Sequence, residues 1–207
     1  MRLWLHIGAH KTGTTSLQDN LWRSRDILRR YGLTYPVNVT NIPSNRQPFT
    51  HVFLVEALRQ GVIGNCLDTL IAHYGRGDYF LTCEDFCSLG MANRERLAHA
   101  LGARFGRISI LLYLRHPASL IVSRVAHSLR SGRTIEEILA APPHFAYRRT
   151  VEDWWGTFGR ENVTVRPYGV RETTTDVLDV VGLPPEAVPR RNWRNATPSA
   201  EANEAIG

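Results

Sequence analysis

One segment of the chain combines the residue types that bind anions. Residues 8–16 read GAHKTGTTS, with glycines at positions 8 and 13 and a lysine at position 11. Lys11 is the one lysine among 25 Lys and Arg side chains. A loop that joins a strand to a helix directs backbone N–H groups, and the positive end of the helix dipole, at a single point. The segment therefore predicts an anion-binding cradle.

The residue types suggest a role for each part of the cradle. Gly13 lets the backbone approach a ligand closely. Lys11 supplies a mobile point charge that can follow charge developing on a leaving oxygen, where arginine would be bulkier and forked. The predicted binding residues are His10, Lys11, Thr12, Gly13, Thr14, Thr15 and Ser16. The alternative is a surface turn whose hydroxyl groups only cap the helix.

The cradle differs from the loop of magnesium-dependent nucleotide kinases. That loop reads G-x-x-x-x-G-K-[ST], with the lysine after the second glycine. Here Lys11 precedes the second glycine, Gly13, and no Lys-Ser or Lys-Thr pair follows Gly13. A P-loop kinase-like phosphotransferase is therefore the weaker interpretation of the segment.

Short apolar runs and helical patterns alternate along the chain. Strands are predicted at 3–7, 80–82, 108–114 and 163–165, and helices at 52–59, 65–74, 94–105 and 117–131. Apolar residues at 17, 21, 28 and 31 predict a further helix that ends at Gly32. This alternation predicts an α/β fold of three layers, with a central parallel sheet between two helix layers. We expect one domain over residues 1–185, with residues 186–207 as its loosely packed, proline-rich tail.

A second motif lies about 100 residues further along the chain. Residues 113–123 read YLRHPASLIVS, and residues 6–18 read HIGAHKTGTTSLQ. The earlier segment resembles the 5′-phosphosulfate loop of sulfotransferases that use 3′-phosphoadenosine 5′-phosphosulfate (PAPS). The later one resembles their 3′-phosphate motif, whose arginine and serine correspond here to Arg115 and Ser123. The alternative is that Arg115 caps a helix and Ser123 only packs.

The resemblance implies a P-loop nucleotide-hydrolase-like sulfotransferase fold and a reaction. A sulfuryl group would move from PAPS to a hydroxyl or amine by in-line displacement, leaving 3′-phosphoadenosine 5′-phosphate (PAP), with Lys11 at the leaving phosphate and no metal. Glu84 is the first candidate for the base, because a related enzyme places its base after the corresponding strand. The strand-end sequence TCED also resembles that of kinases, and Glu84 could instead cap a helix. His51 is the rival base.

The chain also departs from the family pattern. Many relatives carry an aromatic residue where this sequence has Val125, and many are longer at the C-terminus. A wall of the acceptor or 3′-phosphate pocket is therefore expected to differ. A small-molecule or carbohydrate acceptor is predicted, while lipid and peptide acceptors and the oligomeric state are left open.

Composition limits the remaining function classes. The 207 residues are 43% hydrophobic and carry a net charge of +6. A non-catalytic nucleotide- or nucleic-acid-binding protein is the main alternative, but the arginines are spread out without interleaved aromatic residues, so we predict no nucleic-acid partner. No apolar run reaches the length of a membrane span and no secretory signal is evident, so we expect a cytoplasmic protein. Cys66, Cys83 and Cys87 predict neither a disulfide framework nor a metal site.

Overall fold

A five-stranded sheet forms the centre of the molecule in the computed structural model, which describes residues 1–43, 47–140 and 146–190. The strands are β1 (Arg2–His6), β2 (Leu33–Thr34), β3 (Asp78–Thr82), β4 (Arg107–Leu114) and β5 (Val163–Pro167). Their order in the sheet is β2-β3-β1-β4-β5, and every neighbouring pair is parallel. The helices are α1 (Thr14–Arg23), α2 (Arg25–Arg30), α3 (Val52–Arg59), α4 (Ile63–Tyr74), α5 (Met91–Gly102), α6 (Pro117–Arg130), α7 (Ile135–Ala140), α8 (Tyr147–Phe158) and α9 (Thr173–Val181). The predicted α/β fold with a parallel central sheet is confirmed.

Each face of the sheet is covered by its own group of helices. Successive strand residues point to opposite faces, so Leu3 and Leu5 enter one apolar cluster and Trp4 enters the other. The first cluster packs the sheet against α3, α4, α5 and α8. The second packs it against α1, α2 and α9. Burial on both faces explains why the central strands read as nearly continuous apolar runs.

The structure differs from the sequence prediction after the cradle. The single helix expected to end at Gly32 is divided at Ser24, whose N–H donates to the carbonyls of both Asn20 and Leu21. Ser24 is fully buried, and α2 restarts from its carbonyl oxygen. The two-residue strand β2 was also not predicted, because a strand of this length has no readable alternation.

The start of the expected C-terminal tail packs more firmly than predicted. Ala187 and Val188 are fully buried in the second apolar cluster. Residues 191–207 lie outside the described part of the chain, so the loose packing of the rest stays a prediction. Within the described ranges, no helix has both the length and the apolar character that crossing a bilayer requires.

The strands deliver their following residues to one edge of the sheet. Because all five are parallel, the carboxyl ends of β3, β1, β4 and β5 lie side by side. The chain after β1 stays anchored there, since the N–H of Ala9 donates to the carbonyl of Tyr113 (3.2 Å) and the N–H of Tyr113 donates to that of Gly8 (3.1 Å). The connection after β1 leads to β2 on one side of β1, and the connection after β3 leads to β4 on its other side. Such a reversal of strand order is where ligands bind in open α/β sheets.

Candidate functional site

The loop after β1 has the backbone conformation of a tight cradle. Gly8, Lys11 and Gly13 have φ angles of 90°, 65° and 71°, in the left-handed region. A Cβ on Gly8 would lie 2.9 Å from the Cα of Glu84, so only glycine allows the loop and the end of β3 to approach this closely. Lys11 is the one non-glycine residue with positive φ in the described chain, and such strain is typical of functional sites.

The loop leads directly into α1. Gly13 is the N-cap and offers no side chain, and the N–H of Leu17 donates to the carbonyl of Gly13 (3.1 Å) as an early bond of the helix. The N–H groups of Thr14 and Thr15 come before that bond and have no acceptor within the helix. They are positioned to bind an anion.

The hydroxyl groups of the loop divide into two sets. Thr12 is fully buried and donates to the carbonyl of Ala9 (2.5 Å), and the buried Thr14 hydroxyl points to the same oxygen (3.5 Å). Both hydroxyl groups therefore stabilise the loop itself, and the groups that these two residues can offer a ligand are their backbone N–H groups. Thr15 is exposed and Ser16 is half-buried.

Arg115 directly follows β4 and reaches the cradle. Its Nη1 donates to the carbonyl oxygen of Lys11 (3.0 Å), and its Nε lies 3.3 Å from the hydroxyl of Ser119. The guanidinium also sits 5.4 Å from the ring of Tyr168, the residue after β5. The two sequence motifs therefore meet at one place, although 104 residues separate Arg115 from Lys11.

Ser123 lies on the helix that follows Arg115. It is half-buried and stands four residues after Ser119, so the two serines share a face of α6. The bond between Ser119 and Arg115 shows that this face starts at the cradle. Arg130 is eleven residues after Ser119, three turns along the same face.

The cradle is a strongly cationic site. Burial lowers the pKa of Lys11, and the nearby positive charges of Arg130, Arg124 and Arg115 lower it further, while Glu84 raises it. Three arginines within electrostatic reach of Lys11 favour a ligand with more than one negative charge. Arg124 and Arg130 were missed by sequence reasoning. Both arginines lie on α6, and their positions in the sequence do not indicate that this helix starts beside the cradle.

Tyr168 was also missed, although a signal for it existed. It follows β5 at the carboxyl edge, where its N–H donates to the carbonyl of Leu114 (2.8 Å). A Cβ on Gly13 would lie 3.0 Å from its ring, so the tyrosine closes against the cradle. Residues that directly follow parallel strands lie at the same edge of the sheet, and this reasoning, which placed Arg115, also applies to the residue after β5.

Glu84 lies beside the cradle. It follows β3 and opens a short 3₁₀ turn, Glu84–Ser88, packed against Gly8. Its carboxylate is 3.4 Å from Nδ1 of His10, and both side chains are about one-third exposed. Its charge also acts on Lys11. The structure thus brings Glu84, His10 and Lys11 together.

His51, the rival base, is placed differently. It is 1% exposed, with Nε2 donating to the carbonyl of Pro36 (2.8 Å) and Nδ1 accepting from the N–H of Thr82 (3.0 Å). Burial lowers its pKa to about 4, although the backbone hydrogen bonds act in the opposite direction. Because both ring nitrogens already have backbone partners, the geometry favours a structural role in joining the segment before α3 to β3.

A cavity of about 550 Å³ opens next to the cradle. It shares Thr15 and Glu84 with the site described above, and one wall comes from the segment before α3. Its lining residues are Thr15, Gln18, Gln47, Pro48, Phe49, Thr50, Cys83 and Glu84. No group of three or more His, Cys, Asp or Glu side chains in residues 1–43, 47–140 and 146–190 is arranged to hold a metal ion.

Comparisons with known proteins identify the fold. No protein-family model and no curated protein sequence matches the chain. A crystal structure of a sulfotransferase from Alicyclobacillus acidocaldarius is similar, with a TM-score of 0.52 and 18% sequence identity over 98% of this chain and 88% of that one. The chain therefore has an α/β fold similar to that of a bacterial sulfotransferase.

Proposed function

We propose that the protein is a PAPS-dependent sulfotransferase. The observation that carries the proposal is the hydrogen bond from the Arg115 guanidinium to the carbonyl oxygen of Lys11. It unites a helix N-terminus with a lysine, suited to a 5′-phosphosulfate, and an arginine–serine helix face, suited to a 3′-phosphate. The similarity in fold to a sulfotransferase supports the same assignment.

The residues of the cradle would share the binding of the donor. The N–H groups at the start of α1 and the Lys11 ammonium face the end where charge develops as the sulfuryl group leaves. Arg115 and Ser123 bind the 3′-phosphate in this scheme. Because the interactions with Lys11 strengthen as the leaving phosphate gains charge, they lower the barrier and do not only tighten binding.

Glu84 is the proposed base. The acceptor oxygen attacks sulfur, the bond between sulfur and the bridging oxygen of the 5′-phosphate breaks, and the hydroxyl proton passes to the Glu84 carboxylate. Glu84 suits this task because it borders both the cradle and the adjacent cavity, where an acceptor would lie. The Lys11 ammonium neutralises the leaving phosphate in this scheme, so the reaction requires no metal ion.

Donor binding is the first test of the proposal. Thermal stability is measured in chelator with PAP, and separately with ATP plus magnesium and with random oligonucleotide. We expect PAP to stabilise the protein most. Greater stabilisation by ATP with magnesium would indicate a phosphotransferase, and greater stabilisation by the oligonucleotide a nucleic-acid-binding protein.

Variants then assign the two ends of the site. Arg115→Ala should weaken PAP binding about 10- to 100-fold, and should weaken the binding of 5′-AMP, which lacks the 3′-phosphate, far less. Arg96→Ala, at an exposed position of α5, is the matched control.

Glu84→Gln should lower the rate at saturating donor about 10²-fold or more without loss of PAP binding. An unchanged rate would remove Glu84 as the base.

A further inference from the structure

The cavity beside Glu84 has a different electrostatic character from the cradle. The cradle gathers Lys11 and three arginines, whereas the described residues that line the cavity include one charged side chain, the Glu84 carboxylate. The other lining groups are neutral amides, hydroxyls, a thiol and the apolar surfaces of Pro48 and Phe49. A ligand spanning both regions would have its negative charge at one end.

Gln18 gives this cavity a fixed polar group. It is 4% exposed, and its Nε2 donates to the hydroxyl of Thr82 (3.2 Å), which lies 2.8 Å from Nδ1 of the buried His6. The amide nitrogen is thus held by a buried chain of hydrogen bonds. The amide oxygen is the atom of Gln18 suited to accept a hydrogen bond from a ligand hydroxyl in the cavity.

Phe49 supplies the apolar part of the wall. It is 7% exposed, and its ring lies against Trp22 with a centroid separation of 6.5 Å. Phe49 is also held through its backbone, because the hydroxyl of Tyr35, the residue after β2, donates to the carbonyl of Phe49 (2.5 Å). A wall fixed in this way presents a constant apolar surface to the acceptor.

We propose that the acceptor is an uncharged hydroxyl compound with an apolar face, and that acceptors carrying a carboxylate, sulfate or phosphate are discriminated against. This inference rests on the proposed function. A second anion would lie beside the Glu84 carboxylate with no cation among the described lining residues to compensate it, and placing like charges together in a partly dehydrated pocket is costly. A neutral hydroxyl instead meets Gln18, while its carbon skeleton covers Phe49 and Pro48.

The test compares acceptors with and without a carboxylate on the same carbon skeleton. The pairs are 2-naphthol with 6-hydroxy-2-naphthoate, and methyl glucoside with methyl glucuronide. Binding of each is measured by calorimetry with saturating PAP, and transfer is then measured with PAPS. We expect the uncharged member of at least one pair to bind and react at least about tenfold better than its carboxylate analogue. Equal or tighter binding of the anionic members overturns the inference, as does failure of both uncharged members to bind.

Variants that add a positive charge test whether this cavity causes the preference. Gln47→Lys adds a cation to the cavity wall and should reduce the preference for the uncharged acceptor several-fold, while Gln60→Lys makes the same change at the end of α3 and should not alter it. A preference unaffected by Gln47→Lys would count against this cavity as its origin.

The two proposals fail in different ways. If PAP does not bind, the donor assignment is wrong, and the acceptor pairs can still be compared on the protein alone. If PAP binds but the anionic acceptors are preferred, the sulfotransferase proposal stands and the inference about the acceptor is wrong.

Discussion

At the residue scale, Lys11 combines an unfavourable backbone conformation with a unique side chain. Its φ of 65° costs about 1 kcal/mol in a residue with a Cβ, and glycine would avoid that cost. A lysine at such a position, in a chain with no other lysine, supports the role proposed for its ammonium. Burial and the surrounding cations lower the pKa of Lys11, so a bound polyanion would stabilise its charged form.

The residue-scale prediction separates the strain from the charge. Lys11→Gly removes the ammonium and the strain, and Lys11→Ala removes the ammonium alone. We expect both variants to lose at least about 100-fold in the rate of transfer at saturating donor, because stabilisation of the leaving group is lost in each. Lys11→Gly should be at least as stable to denaturant as Lys11→Ala. Transfer at the wild-type rate in either variant would contradict the role given to the ammonium.

At the element scale, the junction between β1 and α1 depends on close packing with β5. A Cβ on Gly13 would meet the Tyr168 ring at 3.0 Å and the Thr173 hydroxyl at 3.3 Å, so the cradle and the chain after β5 fix one another. Tyr168 in turn lies against the Arg115 guanidinium. Displacing this junction should therefore disturb both ends of the proposed donor site.

The element-scale prediction uses two glycines with similar backbones. Gly13→Ala should weaken PAP binding about tenfold or more, because the new methyl group displaces Tyr168 or tilts the start of α1. Gly61→Ala is the control: its φ of 74° matches, and no atom lies within 4 Å of the added Cβ. Both variants should lose about 1 kcal/mol of stability from the left-handed conformation. Equal PAP binding in the two would show that the contact with Tyr168 is unimportant.

Sequence reasoning reached the elements that have strong local signals and missed those set by tertiary contacts. The cradle and Arg115 were predictable because a parallel sheet brings the ends of its strands together, whatever their separation in the chain. The hydrogen bonds of His51 were not predictable, because its sequence position does not reveal that the Pro36 carbonyl and the Thr82 N–H contact its two ring nitrogens. The break at Ser24 was likewise hidden, since the apolar periodicity continues through it.

At the scale of the whole molecule, two buried histidines couple folding to pH. His6 and His51 are 0% and 1% exposed, and burial lowers the pKa of each to about 4; for His6 the charge of Glu84 opposes the shift, and for His51 the backbone hydrogen bonds do. In the unfolded chain both should titrate near the ordinary value of about 6.5. Between pH values of about 4 and about 6.5 the unfolded state binds more protons than the folded state, so the free energy of unfolding falls as the pH falls.

The whole-molecule prediction concerns how steeply the free energy of unfolding falls as the pH falls. Near pH 5 each histidine should contribute about 1.4 kcal/mol per pH unit to the pH dependence of the free energy of unfolding. Denaturant unfolding of wild type, His51→Gln and His73→Gln at pH 5, 6 and 7 measures it. His51→Gln should be less stable at pH 7, because it loses buried hydrogen bonds, yet its stability should fall less steeply with acid. The exposed His73 should leave the slope unchanged. If wild type and His51→Gln have the same slope, His51 is not held neutral by the fold.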